Sequence, residues 1–130
     1  MHDRRWILDN LEDATRRLKK RDPSFSFERL VGLDQELKAV ITTSEAANAT
    51  LNFVSASFQP AATPEYRQEA GTRATAFSAS YMPESPPPEA FDKGGYQAWN
   101  RTLKELAAAQ GERRKAVELQ IEEMLMSIPN

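Results

Sequence analysis

The sequence predicts an all-α protein: a long antiparallel two-helix coiled-coil hairpin with one or two short N-terminal helices and a long Pro-rich tip. Three observations carry this. Leu30, Leu33, Leu37, Val40, Ser44, Ala47, Leu51, Val54 and Phe58 recur at alternating three- and four-residue steps, the seam of a helix that lies along another helix. Trp99, Leu103, Leu106, Gln110, Arg113 and Val117 keep that spacing, and Ile121, Met124 and Ile128 resume it after one slip. Between the two runs lie six of the eight prolines, so the chain turns back there. A two-helix hairpin has no interior in which to build a reaction pocket, which points to binding rather than chemistry.

Residues 1–22 read as the short helices. Asn10 is placed to cap the second, with Asp13 at its third position facing the exposed amides. Trp6, Ile7, Leu11, Ala14 and Leu18 supply an apolar face. Arg16, Arg17, Lys19, Lys20 and Arg21 close the helix, where positive charge suits the dipole; they read as a solvated helix end, with RNA contact as the alternative. Asp22-Pro23 stops it.

The first rod, 24–58, opens at Ser24 or Ser26, either of which can cap it, and at 1.5 Å per residue measures roughly 48 Å. Between Ala39 and Phe58 its single charged residue is Glu45. Thr42, Thr43, Asn48, Thr50, Asn52, Ser55 and Ser57 fill positions read as outward-facing. Thr and Asn are poor helix formers, so this half depends on a partner helix.

The tip, 59–95, holds Pro60, Pro64, Pro83, Pro86, Pro87 and Pro88, with a short helix expected over 65–80 and a polyproline stretch at 86–88. Tyr66, Phe77, Tyr81 and Phe91 set it apart from an ordinary disordered linker. Gly94-Gly95 reads as a break before the returning rod, 96–128. There Glu105, Glu112, Arg113, Arg114, Lys115, Glu118, Glu122 and Glu123 mix both signs, as on a solvated coiled coil, and Pro129 ends the helix. Residues 1–130 are read as one domain.

Composition excludes several classes. The net charge of −2, with 28% charged residues, gives no bulk attraction to nucleic acid or to an anionic membrane. With no cysteine there is no disulfide or thiolate metal site, and the expected location is the cytosol. No apolar run approaches the roughly 20 residues of a membrane span, and none follows the N-terminus as a secretory signal would require. His2 is the sole histidine, no glycine-rich phosphate loop occurs, and the carboxylate pairs sit at solvated helical spacing. No catalytic residue, metal or cofactor is expected. The aromatic set Tyr66, Phe77, Tyr81, Phe91, Tyr96 and Trp99 has two readings, RNA base stacking or a hydrophobic cluster closing the tip, and the cluster is the simpler. Arg101, Lys104, Arg113 and Arg114 are candidate RNA contacts on a face that a solvated coiled coil would equally explain.

Three passages carry a resemblance. The opening is His2-Asp3-Arg4-Arg5-Trp6-Ile7-Leu8-Asp9-Asn10, with Leu18-Lys19-Lys20-Arg21 before the next helix; Leu33-Asp34-Gln35-Glu36 lies early in the first rod; and Met124-Leu125-Met126-Ser127-Ile128-Pro129-Asn130 closes the sequence. Their order and spacing resemble the N-terminal tRNA-binding arm of bacterial seryl-tRNA synthetases (serine–tRNA ligases). The resemblance implies a coiled coil that grips the extra-long variable arm and elbow of serine tRNA. At the positions matching the family's tip motif it implies RNA contact by Asn52 and Ser55.

Where that motif reads Arg-Arg-Asn-x-x-Ser-Lys, this chain has Thr50-Leu51-Asn52-Phe53-Val54-Ser55-Ala56, without the three cations. Binding of serine tRNA is therefore expected to be weakened. The tip does not compensate, since Arg67, Arg73 and Lys93 face Glu65, Glu69, Glu84, Glu89 and Asp92. The sequence stops at Asn130, where the family's class II catalytic domain would begin, so the chain alone is not expected to aminoacylate. The alternative is a coiled-coil protein–protein interaction module derived from the same arm, with tRNA binding lost. Expected partners are thus serine tRNA, and a synthetase catalytic domain or a coiled-coil partner, with neither membrane nor DNA.

Overall fold

The computed structural model describes residues 3–22, 26–90 and 92–128. His2, Pro23, Ser24, Phe91 and Pro129, on which some expectations rest, lie outside them. Among the described residues the fold is all-α, a helical hairpin as the heptad spacing predicts. Its order is α1 (Arg4–Asp9), α2 (Leu11–Lys19), α3 (Glu28–Ser57), α4 (Pro64–Tyr81) and α5 (Lys93–Ser127), with no strand. The chain divides into two compact units, Met1–Ala39 with Arg113–Asn130, and Val40–Glu112.

In the first unit, Asp3 caps α1 by accepting from the amides of Arg5 (2.9 Å) and Trp6 (3.4 Å). Asn10 stands at the cap position of α2 as predicted, but its side chain makes no capping bond. Its Nδ2 donates instead to Trp6 O at 2.8 Å, because α2 follows α1 directly and a C-terminal carbonyl of α1 lies within reach. Asp13 pairs with Arg16 (3.0 Å) and Arg17 (3.1 Å), which gives two of the five residues of the basic run a structural role. α3 opens with Ser26 Oγ accepting from the Glu28 amide at 3.1 Å. Ile7, Ala14, Phe27, Leu30, Leu33, Leu37, Val117, Ile121 and Ile128 are buried. Arg113, at a seam position of α5, instead stays half exposed and ion-pairs with Glu36 of α3. A guanidinium is too costly to desolvate in an apolar seam, so the position is spent at the edge.

The second unit departs from a plain two-helix rod. The expected tip helix is a full 18-residue α4, with Thr63 Oγ1 accepting from the Tyr66 amide at 3.1 Å and Pro64 in its first turn. Ala47 and Val54 of α3, Ala70, Ala74 and Phe77 of α4, and Tyr96, Trp99 and Leu103 of α5 form one buried cluster with Met82. Ala70 and Ala74 have no exposed surface, so small side chains let α4 sit close.

The chain after α4 is pinned at Ser85, whose carbonyl accepts from Trp99 Nε1 (3.1 Å) and Ser78 Oγ (3.0 Å). Gly94 and Gly95, read as a break, lie inside the first turn of α5. Asp92 accepts there from the Gly95 amide at 2.8 Å. Gly95 serves packing, since a Cβ on it would meet Pro88 Cγ at 3.2 Å.

Candidate nucleic-acid interface

Within the second unit, the distal half of α3 presents three faces, each with its own four-three-four spacing. Ala47, Leu51, Val54 and Phe58 keep the predicted seam and belong to, or pack on, the cluster shared with α5. Ala46, Thr50, Phe53 and Ser57 form a second stripe that turns toward α4. Phe53 stacks on Tyr66 at 4.2 Å with 7° between rings, Arg73 covers the Phe53 ring at 4.1 Å, and Arg67 Nε donates to Ser57 O at 3.1 Å. Thr50 and Ser57, expected to face outward, are therefore buried, at 8% and 0% exposure. Packing against α4 is the physical reason this second stripe carries no charge.

The third stripe is the solvent face. Asn48, Asn52 and Ser55 lie on it, exposed, with Gln59 in the turn beyond. On α5, Lys93, Gln97 and Lys104 lie exposed at matching spacing, with Asn100 half buried among them and Arg101 to one side. Ser55, Phe58, Gln59 and Pro60 meet Lys93, Gln97 and Asn100 around a cavity of about 380 Å³. The Asn100 Oδ1 is buried and accepts no hydrogen bond.

The structure sorts the sequence-predicted residues by unit. Asn52, Ser55, Arg101 and Lys104 are exposed residues of Val40–Glu112, and of these Ser55 lines the cavity. Arg113 and Arg114 belong to the other unit and are engaged, with Glu36 and with Glu118 (2.7 Å) respectively. Arg67 and Arg73 are likewise engaged, so Lys93, Arg101 and Lys104 are the cations of the second unit that no described residue pairs. Lys93, Gln97 and Asn100 were absent from the sequence-predicted set; only their alignment with Lys104 along one helix face signals them.

The aromatic residues serve the fold. Phe77, Tyr96 and Trp99 are buried in the cluster, Tyr66 is stacked, and Tyr81 leans on Phe77 at 4.8 Å while remaining 37% exposed. Burial pushes the Tyr96 hydroxyl above its ordinary value of 10.0. Among the described residues no three acidic or imidazole side chains gather as a metal site, and no helix is long and apolar enough to cross a membrane.

The motif positions that lack cations have distinct fates. Thr50 is buried, Leu51 packs on the apolar cluster, and Ala56 alone is exposed. The family model described as Seryl-tRNA synthetase N-terminal domain matches residues 1–79, which takes in the first three helices and most of α4. The closing passage 124–130 lies outside the matched residues. No curated protein and no solved structure matches the chain.

Proposed function

This chain belongs to the seryl-tRNA synthetase N-terminal domain family, and on that premise we propose that it is a tRNA-binding arm whose RNA is serine tRNA. The observation that carries the reading is family membership over residues 1–79. The exposed face bearing Asn52, Ser55, Arg101 and Lys104 supports it as the RNA contact, since uncharged polar groups and a few unpaired cations suit a ribose-phosphate backbone. Arg113 and Arg114 are secondary contacts that must first leave Glu36 and Glu118.

Binding is weak, because cations on phosphates supply most nucleic-acid affinity, and of the matching motif positions Thr50 is buried and Leu51 packs on the apolar cluster. Residues 1–130 act as one arm, and charging of the bound tRNA falls to a class II catalytic domain, which the same membership makes the natural partner. The site of action is the cytosol, where tRNA is charged.

Fluorescence anisotropy at low salt tests the reading. Serine tRNA should bind more tightly than an unrelated tRNA lacking a long variable arm. Equal affinity for the two would remove specific recognition. A second reading, a protein-pairing module derived from the arm, draws on the uncharged stretch between Glu45 and Phe58. It requires the chain to associate in light scattering, or with a partner helix, while ignoring both tRNAs.

A further inference from the structure

We propose that the cavity between Ser55 and Asn100 is a subsite for one unpaired nucleotide of the RNA, with its base held by carboxamides and its phosphate by Lys93. The inference rests on the RNA-binding reading above and names where that RNA is read. At about 380 Å³ the cavity lies at the low end of small-ligand pockets, suited to a single base rather than to a duplex. Its wall is unusually polar for a site beside a helical core: Ser55, Gln59, Gln97 and Asn100 bring a hydroxyl and three carboxamides. Phe58, half buried in the same lining with its ring leaning on Tyr96 at 5.7 Å, adds an aromatic side chain to the wall. Lys93 is exposed and unpaired at the rim, within the first turn of α5, where phosphate is electrostatically favoured.

Asn100 is the sharpest sign. A buried carbonyl oxygen with no donor destabilises the folded chain, and an apolar residue there would be more stable. Such a cost persists at sites that need the group for a ligand. Rotation about the last side-chain bond of Asn100, a soft two-fold torsion, lets the carboxamide offer donor and acceptor side by side to a base edge. This is the pairing by which Asn and Gln read adenine. The subsite also rationalises the missing cations, because hydrogen bonding and aromatic contact replace part of the phosphate contact.

The test uses the full chain with AMP, GMP, CMP and UMP, followed by amide NMR up to about 10 mM. Ribose 5-phosphate serves as the base-free control. Signals of Ser55, Gln97 and Asn100 should move with at least one nucleotide and not with ribose 5-phosphate. Asn100→Leu should lose this response, weaken serine tRNA binding about 5- to 100-fold, and raise Tm by about 3–5 °C. Gln97→Ala, at an exposed position, supplies a second variant that keeps the fold. Equal shifts with ribose 5-phosphate would mean an anion site and overturn base recognition. If tRNA binds but neither variant weakens it and no nucleotide moves the three residues, the subsite fails while the RNA reading stands. If nucleotides bind there but tRNA does not, the subsite stands and the RNA reading fails.

Discussion

Gly111 lies well inside α5, and a Cβ built on it meets nothing within 4 Å. Its flexibility serves no close approach, so Gly111→Ala should stabilise the chain by about 0.5–1 kcal/mol, read as a higher denaturant midpoint at unchanged slope. Gly95 is the opposite case, because Pro88 occupies the space a methyl would need. Tyr96 makes a pH prediction with a definite sign. Its hydroxyl titrates higher in the folded chain than in the unfolded one, so the unfolded state ionises first as pH rises. The resulting stability is complete below pH 10 and declines as pH climbs through the folded value. Tyr96→Phe cannot ionise, so its denaturation midpoint should fall less than that of the parent chain above pH 10. Parallel curves would mean that the buried hydroxyl does not contribute to alkaline unfolding.

Helix α4 shows how an element is fixed by another element's surface. Its helical hydrogen bonds and Thr63 cap are local, but its place is set by the stripe Ala46, Thr50, Phe53 and Ser57 on α3. Phe53 is held between the Tyr66 ring and the Arg73 guanidinium, which makes it the centre of that contact. Phe53→Ala should cost about 2 kcal/mol, with most of the lost hydrogen-exchange protection confined to α4. Phe53→Leu should recover much of the burial but not the stack. The α3–α5 seam is legible in the sequence because apolar residues at heptad spacing have one physical meaning, a single helical neighbour. The second neighbour is harder to see. Its stripe is written in Ala, Thr, Phe and Ser, which mimic a polar solvent face until their small size is recognised as room for a helix. Lys93, Gln97 and Asn100 are obscure for a related reason, since their meaning depends on Ser55 and Gln59, nearly forty residues away in the chain. Asn52 and Ser55 are legible through the family's tip motif, and Arg101 and Lys104 as cations on the charged face of the returning rod, whereas the phase of the seam alone puts Thr50 and Ser57 on the wrong side.

At the scale of the whole molecule, electrostatics decide how any RNA can be held. The net charge is −2, and Val40–Glu112 holds eight acids against five bases, two of them engaged in holding α4. No general field draws RNA to this face, so binding depends on local contacts made by Lys93, Arg101 and Lys104. If three phosphates are met, log K should fall with log salt at a slope of about −2 to −3, a loss of roughly 15- to 60-fold between 50 and 200 mM. A protein neutralising 6–10 phosphates would lose about 10³–10⁵ over the same range, so the two modes separate cleanly in one titration. Replacing Arg101 and Lys104 together by Gln should flatten the slope by nearly 2 while leaving Tm unchanged, as both side chains are exposed and unpaired. Ala56→Lys should act in the other direction, because Ala56 is the exposed motif position and takes a lysine without repacking. It should steepen the slope by nearly one and tighten binding several-fold at low salt. A slope indifferent to all three residues would place the RNA on another surface and leave the polar face of α3 and α5 without its assigned role.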